Sequence, residues 1–193
     1  MSNRASKGSA FERELCKLLS KWWTGDARDD VFWRSSQSGG RATQRAKQGL
    51  RTHGSYGDIA AVDPIGEPLL KVFTIELKRG NSHGTPWDLL ESKPDSKPCK
   101  FEQCLQQAVR SAEQAGSVGW MLILRRDRRP AVACVDQRAL KHIGGQHLPI
   151  APRLVRFRVD VSWPGSVRIL RFVVLPLEDL LQSLSPDAVR GVA

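Results

Sequence analysis

The chain is almost without tyrosine. It has one, and phenylalanine, tryptophan and tyrosine together make up 7% of 193 residues. The repeated aromatic platforms on which RNA-binding modules stack bases are therefore not expected. Long apolar runs are also missing. None approaches the ~20 residues that cross a bilayer, so no membrane association is expected. The N-terminal stretch MSNRASKGSAFERE has no apolar core of a secretory leader, and the expectation is a cytoplasmic protein. Cysteine is sparse and poorly spaced for metal. The four are Cys16, Cys99, Cys104 and Cys134, with no CxxC pair. Cys99 and Cys104 with His83 match no standard zinc spacing. Reduced thiols are expected, Cys16 near an apolar helix face and Cys134 inside a strand.

Acid is in deficit as well. Twenty Asp and Glu face thirty Lys and Arg, a net charge of +10, with arginine in excess of lysine. A surface this basic suits a polyanion, nucleic acid first. A solubility charge or an acidic membrane surface is the competing reading. The hydrophobic fraction of 40% is enough for a globular core, and the length suits one domain over 1–193, with a core of about 5–138 and an extension of about 150–185.

The most informative stretch is Gly57 to Gly80, GDIAAVDPIGEPLLKVFTIELKRG. It reads as two strands joined by a turn at Pro64 and Gly66. The second strand, Leu69 to Lys78, alternates: Phe73, Ile75 and Leu77 face an apolar layer, and Thr74, Glu76 and Lys78 face the other way. Asp58 opens the first strand and can converge on Glu76 and Lys78. Two carboxylates and a lysine at one place suit a Mg²⁺ site for phosphodiester hydrolysis. The bland alternative is an exposed sheet face carrying a weak Glu–Lys surface pair.

A first helix is expected over Ser9 to Trp23, with Phe11, Leu15, Leu18, Leu19 and Trp22 as its core stripe. Glu12 flanks that stripe, and Ser9 with Glu12 fits a capping box. Val31 to Arg34 reads as a short strand. Ser35 to Gly57 has no aliphatic periodicity and is rich in Ser, Gly, Gln and Arg. It is expected to be a mobile arm, in which Ala42 to Leu50 could become helical. Arg41, Arg45, Lys47 and Arg51 on the arm are candidates for phosphate contact, as are Arg34 and Arg79. The alternative is a solvated insertion. Asn81 to Lys100 reads as loop, with one turn near Trp87 to Leu90. Phe101 to Ala115 is a second helix with Phe101, Leu105, Ala108, Ala112 and Ala115 on one face, closed by Gly116; Gln103, Gln106 and Gln107 on it read as solvated, the alternative being contact with a nucleic acid or a metal-bound water. Trp120 to Leu124 and Ala131 to Val135 are strands, joined by a turn carrying Arg125, Arg126, Arg128 and Arg129. Such crowding is disfavoured by self-repulsion without an anion, so Arg125 and Arg126 are added to the phosphate contacts. Leu154 to Val161 and Val167 to Leu175 form a hairpin, Leu177 to Leu184 a short helix, and the terminus is expected to fray. His142 and His147 carry no assigned role.

The order is helix with Glu, strand, strand with Asp, strand with Glu-x-Lys, helix, strand. It resembles the PD-(D/E)xK nuclease superfamily, and within it the archaeal-type and phage Holliday junction resolvases. The likeness rests on Lys7-Gly8-Ser9, Glu12-Arg13-Glu14-Leu15 and Leu18-Leu19, on Ser38-Gly39-Gly40, on Gly57-Asp58-Ile59 and on Ile75-Glu76-Leu77-Lys78. It spans about residues 5–125. Gly57 stands where the superfamily's name has proline.

The resemblance implies an α/β fold: a restriction-endonuclease-like mixed sheet flanked by helices, with an αβββαβ core and an extra C-terminal β-hairpin. It implies a metal-dependent DNA endonuclease. Asp58, Glu76 and the Leu77 carbonyl would bind Mg²⁺, for which Mn²⁺ could substitute. Glu12 would hold a second ion or a water on the metal, Lys78 would orient or help deprotonate the attacking water, and Ser38 would approach the scissile phosphate. The implied partner is branched or duplex DNA, and a homodimer would be needed to cut a junction symmetrically. The setting would be a bacterial, archaeal or phage-infected cytoplasm. A restriction- or repair-type endonuclease, a flap nickase and a non-catalytic basic DNA-binding protein remain as alternatives.

Overall fold

The most apolar strand sits inside the sheet, as its sequence requires. Gly119–Arg125 (GWMLILR) is buried along nearly its whole length, the near-continuous apolar run of a strand covered on both faces. The computed structural model describes residues 4–35, 56–92, 97–144 and 153–193, with side chains from residue 8 onward in the first helix. The elements, in chain order, are α1 (Arg4–Thr24), β1 (Phe32–Arg34), β2 (Ile59–Ala61), α2 (Glu67–Val72), β3 (Phe73–Arg79), α3 (Asp88–Glu91), α4 (Lys100–Ala115), β4 (Gly119–Arg125), β5 (Val132–Asp136), α5 (Gln137–His142), β6 (Val155–Trp163), β7 (Ser166–Pro176), α6 (Leu177–Ser183) and α7 (Pro186–Arg190).

A five-stranded mixed sheet has the order β3-β4-β5-β7-β6. β3 and β4 are parallel, and the other neighbours are antiparallel. A parallel pair needs a long crossover, which α4 supplies. The C-terminal hairpin joins this sheet through β7 and β5. One face of the sheet packs on α1, α2 and α5 to α7, where Phe11, Leu15, Leu19, Phe73, Ile75 and Leu140 meet. The other face packs on α4, with Phe101, Leu105, Trp120, Leu122 and Phe172. This is the flanked mixed sheet expected for a restriction-endonuclease-like fold.

α4 has the boundaries its sequence encodes. Cys99 caps it, accepting from the Glu102 N–H, and Gly116 ends it at φ 71°, in the left-handed region that favours glycine. Phe101, Leu105, Ala108, Val109 and Ala112 form its buried stripe, and Ala115 lies outside it.

Several expectations are corrected. Leu69 to Val72 is helical rather than strand. Pro68 lies in the first turn of α2, where its fixed φ favours a helix, and Leu69 and Val72 are buried one turn apart. β2 pairs with β1 instead of forming a hairpin with β3. α1 begins at Arg4, so Ser9 lies inside it and caps nothing; its Oγ accepts from Arg13 Nη1 at 2.9 Å. Arg4, Ala5 and Lys7 are good helix formers that carry the helix upstream. Trp23, not Trp22, is the fully buried member of the stripe, and Leu18 is exposed. The C-terminus forms α7, with Val189 buried and Arg190 over the Trp23 ring at 4.5 Å. Among the described residues no helix is long and apolar enough to cross a membrane.

Candidate active site

β3 is an outer strand of the sheet, and both of its faces are covered. Phe73, Ile75 and Leu77 enter the core shared with α1, as their alternation predicts. Glu76 enters the opposite face, beneath α4, and is 2% exposed. Every carboxylate oxygen of this buried acid has a donor. Ser111 Oγ donates to Oε1 at 2.7 Å and Gln107 Nε2 donates to Oε2 at 2.7 Å. Lys78 Nζ lies 3.5 Å from Oε2. Gln107 and Ser111 are one helical turn apart on α4, so a single helix face orients the carboxylate.

Asp58 reaches the site along the free edge of β3. Its N–H donates to the Ile75 carbonyl at 2.8 Å, and its Oδ2 accepts the Leu77 N–H at 2.7 Å. The Ser35 N–H donates to its carbonyl at 2.9 Å, tying in the end of β1. The N–H and C=O of one strand residue leave on the same side, so the Leu77 carbonyl shares the edge occupied by Asp58. Gly57 makes this close approach possible. It has φ 77°, and a Cβ there would lie 2.6 Å from the Ile75 carbonyl oxygen. Proline, confined to φ near −65°, cannot stand at this position, which explains the departure from the superfamily's name.

Burial pushes the Asp58 carboxyl up to about 7, and the Glu76 carboxylate adds to the shift. The Leu77 N–H and Lys78 pull it back without offsetting the rise. Two acids thus share a place where a positive charge would stabilise both in ionised form. Two carboxylates and a carbonyl are a hard, all-oxygen donor set of the kind that takes Mg²⁺. Among the described residues no group of three His, Cys, Asp or Glu is assembled for a metal. Glu12 is near enough to raise the Asp58 pKa, yet its Oε2 is held by Arg34 Nε in a partly buried ion pair. Fit to a hard cation therefore rests on Asp58, Glu76 and the Leu77 carbonyl.

Of the candidate phosphate contacts, Arg34, Arg79 and Arg125 each hold an acid: Glu12, Asp127 at 2.8 Å and Glu14 at 2.6 Å. Arg126 is exposed and has no ion-pair partner among the described residues. Ser38, Arg41, Arg45, Lys47 and Arg51, together with the arm, its Ala42 to Leu50 segment and His147, lie outside the described residues. His142 Nε2 donates to the Val192 carbonyl, 3.1 Å away. His83, Cys99 and Cys104 form no metal cluster, and Cys16 and Cys134 are buried free thiols.

The glutamines read as solvated stay at the surface, Gln103 and Gln107 exposed and Gln106 half-buried, yet each amide also has a protein partner. Gln107 holds Glu76, Gln106 Nε2 donates to the Ser162 carbonyl at 2.7 Å, and Gln103 Nε2 to the Pro98 carbonyl at 2.8 Å. Gln107 and Ser111 are the site residues that sequence reasoning missed. Their i, i+4 spacing beside the stripe was visible; that this flank lies over Glu76 was not.

The helix-flanked mixed sheet, with Glu76 and Lys78 on its outer strand and half-buried Asp58 against that strand's edge, is consistent with the PD-(D/E)xK class of nucleases. A family model described as "Phage putative PDDEXK endonuclease" matches residues 3–189, and the chain belongs to that family. No curated protein and no solved structure matches the chain. Nucleases of this superfamily generally use divalent metals.

Proposed function

We propose that the chain is a Mg²⁺-dependent endodeoxyribonuclease that selects branched DNA. The observation that carries the reading is the Asp58–Glu76 pair, joined across the edge of β3 with Lys78 beside it. Bound there, the ion would supply charge stabilisation for the phosphate and the leaving oxygen. Asp58, Glu76 and the Leu77 carbonyl are the residues that would hold it, and Mn²⁺ has the same ligand preferences. Gln107 and Ser111 keep the Glu76 carboxylate in one orientation. Lys78 stands on the same face and orients the attacking water or helps deprotonate it.

Glu12 and Arg34 act as a pair. A DNA phosphate competes for the Arg34 guanidinium, because arginine binds phosphate as it binds carboxylate. The freed Glu12 would then be available as the third acid, to hold a water or a second ion. Arg79, Arg125 and Arg126 grip the backbone without reading sequence, together with Ser38, Arg41, Arg45, Lys47 and Arg51 of the arm. Symmetric cutting of a four-way junction calls for a homodimer, and a phage nuclease would work in the cytoplasm of its host.

The test is cleavage of junction, flap, single-stranded and linear duplex DNA with and without Mg²⁺, beside Asp58→Ala and Lys78→Ala. Metal-dependent cutting of branched substrates that both variants abolish is the expected result. Unchanged cutting by Asp58→Ala would overturn the site, and equal cutting of linear duplex would overturn the selectivity.

A further inference from the structure

One strand away from Lys78, a cavity of about 410 Å³ opens between the 83–87 loop and the hairpin. Its volume lies within the roughly 300–1,000 Å³ range of small-ligand sites. Lys78 is in register with Leu124 on the neighbouring parallel strand, and Leu124 is in the cavity wall. Residues in register on parallel strands project to the same face of the sheet. The cavity therefore lies on the face that holds Glu76 and Lys78, at about one inter-strand spacing of ~4.8 Å.

Its walls are apolar and aromatic. Trp87 and Phe157 meet edge to face at 5.9 Å, and Phe157 stacks on Phe172 at 5.1 Å. Trp87 is 56% exposed, and Leu90 and Val155 nearby are exposed too, an unusual cluster for a surface with nothing to bind. His83 is another wall residue, and burial lowers its pKa, so it presents a neutral ring. Its Nε2 has no hydrogen-bond partner among the described residues. Charge at the cavity has one sign. Arg126 and Arg129 line it, no Asp or Glu does, and neither arginine has an ion-pair partner among the described residues.

We infer that this cavity takes an unstacked nucleobase of the DNA, next to the phosphate that is cut, with Trp87 and Phe157 against the base and Arg126 and Arg129 on the flanking phosphates. Every base offers a face to an aromatic side chain, so such a pocket is tolerant of sequence. It discriminates by structure instead. A duplex must first unstack a base at a cost of a few kcal/mol, whereas a branch or single-stranded tail offers one already free. The inference rests on the nuclease reading and gives its branch selectivity a physical source.

The experiment measures binding by fluorescence anisotropy in EDTA, so that nothing is cut. Two labelled duplexes carry the same single-stranded tail, one of thymidines and one of abasic residues. Wild-type protein is expected to bind the thymidine tail about tenfold more tightly. Trp87→Ala, at an exposed position that should leave the fold intact, is expected to remove that difference while keeping the affinity for the abasic tail. Arg126→Ala with Arg129→Ala is expected to weaken both. Equal affinity of wild-type protein for the two tails overturns the inference, as does a Trp87→Ala variant that still discriminates. Should Mg²⁺-dependent cleavage persist in that case, the nuclease reading stands and the pocket alone is wrong. Failure to bind or cut any DNA overturns both. If the DNA-free protein is a dimer that Trp87→Ala turns into a monomer, with no base discrimination, the cavity is a contact between copies and the inference is overturned.

Discussion

The two outer strands of the sheet, β3 and β6, look alike in sequence and behave oppositely. Each alternates apolar with charged residues: Thr74, Glu76 and Lys78 on one, Arg156, Arg158 and Asp160 on the other. On β3 the polar row lies under α4, and Glu76 is 2% exposed. On β6 the row faces solvent, and Arg156, Arg158 and Asp160 are all exposed. A buried carboxylate must be given donors or a cation, and Glu76 has both kinds of neighbour. An exposed charge is stabilised by water and needs no partner. The covering helix, not the alternation, separates a site from a decorated surface.

Neutralising one acid on each strand puts that contrast to its hardest test. Glu76→Gln is expected to lower Mg²⁺-dependent cleavage by about a thousandfold, several kcal/mol of lost charge stabilisation. Asp160→Asn on β6 is expected to change it by less than about twofold. Comparable losses in the two variants would erase the distinction.

Acid–base linkage gives the next largest effect. The folded-state pKa of Asp58 is raised from 3.8 to about 7, so the folded protein holds this proton more tightly than the unfolded chain. The resulting stability is complete below about pH 4 and lost as pH rises through 7, a change on the order of 4 kcal/mol. Thermal unfolding of metal-free wild-type protein should show this decline relative to Asp58→Asn, and Mg²⁺ should reverse it above pH 7. Parallel pH profiles for the two proteins would show that Asp58 is not in a crowded acidic site.

Gln107→Ala and Ser111→Ala remove the donors that make Glu76 different from a surface acid. Each is expected to cost about 1–2 kcal/mol, a roughly tenfold drop in cleavage. A rise in the Mg²⁺ concentration for half-maximal rate should accompany it, which a purely structural loss would not produce. The smallest effect belongs to β6. Arg158 pairs directly across from Arg171, a like-charge pair that destabilises a sheet. Arg158→Thr is expected to stabilise the fold by about 0.5 kcal/mol in chemical denaturation, with cleavage unaltered; a loss of stability would mean this face is covered after all.

Much of this was legible in the chain. The stripe of α4, its Gly116 cap and the alternation of Phe73 to Lys78 follow from local periodicity, and so does the placement of Glu76 and Lys78 on one face. The helix over Glu67–Val72 was misread because a short apolar run fits either period. The role of Gln107 was hidden because a glutamine flanking a stripe looks the same whether it meets solvent or a buried acid.

The amino-acid order by itself determined which residues of Phe73 to Lys78 share a face, where most of the helices and strands lie, the positive balance and the sequence of acids by which the superfamily is recognised. These depend on neighbours a few residues apart. Only the tertiary structure decided that Asp58 hooks the edge of β3 through Ile75 and Leu77, that Gly57 must adopt a positive φ to let it, and that α4 closes over Glu76. Those depend on groups far apart in the chain meeting at hydrogen-bonding distance, and on the burial that results, which no local pattern specifies.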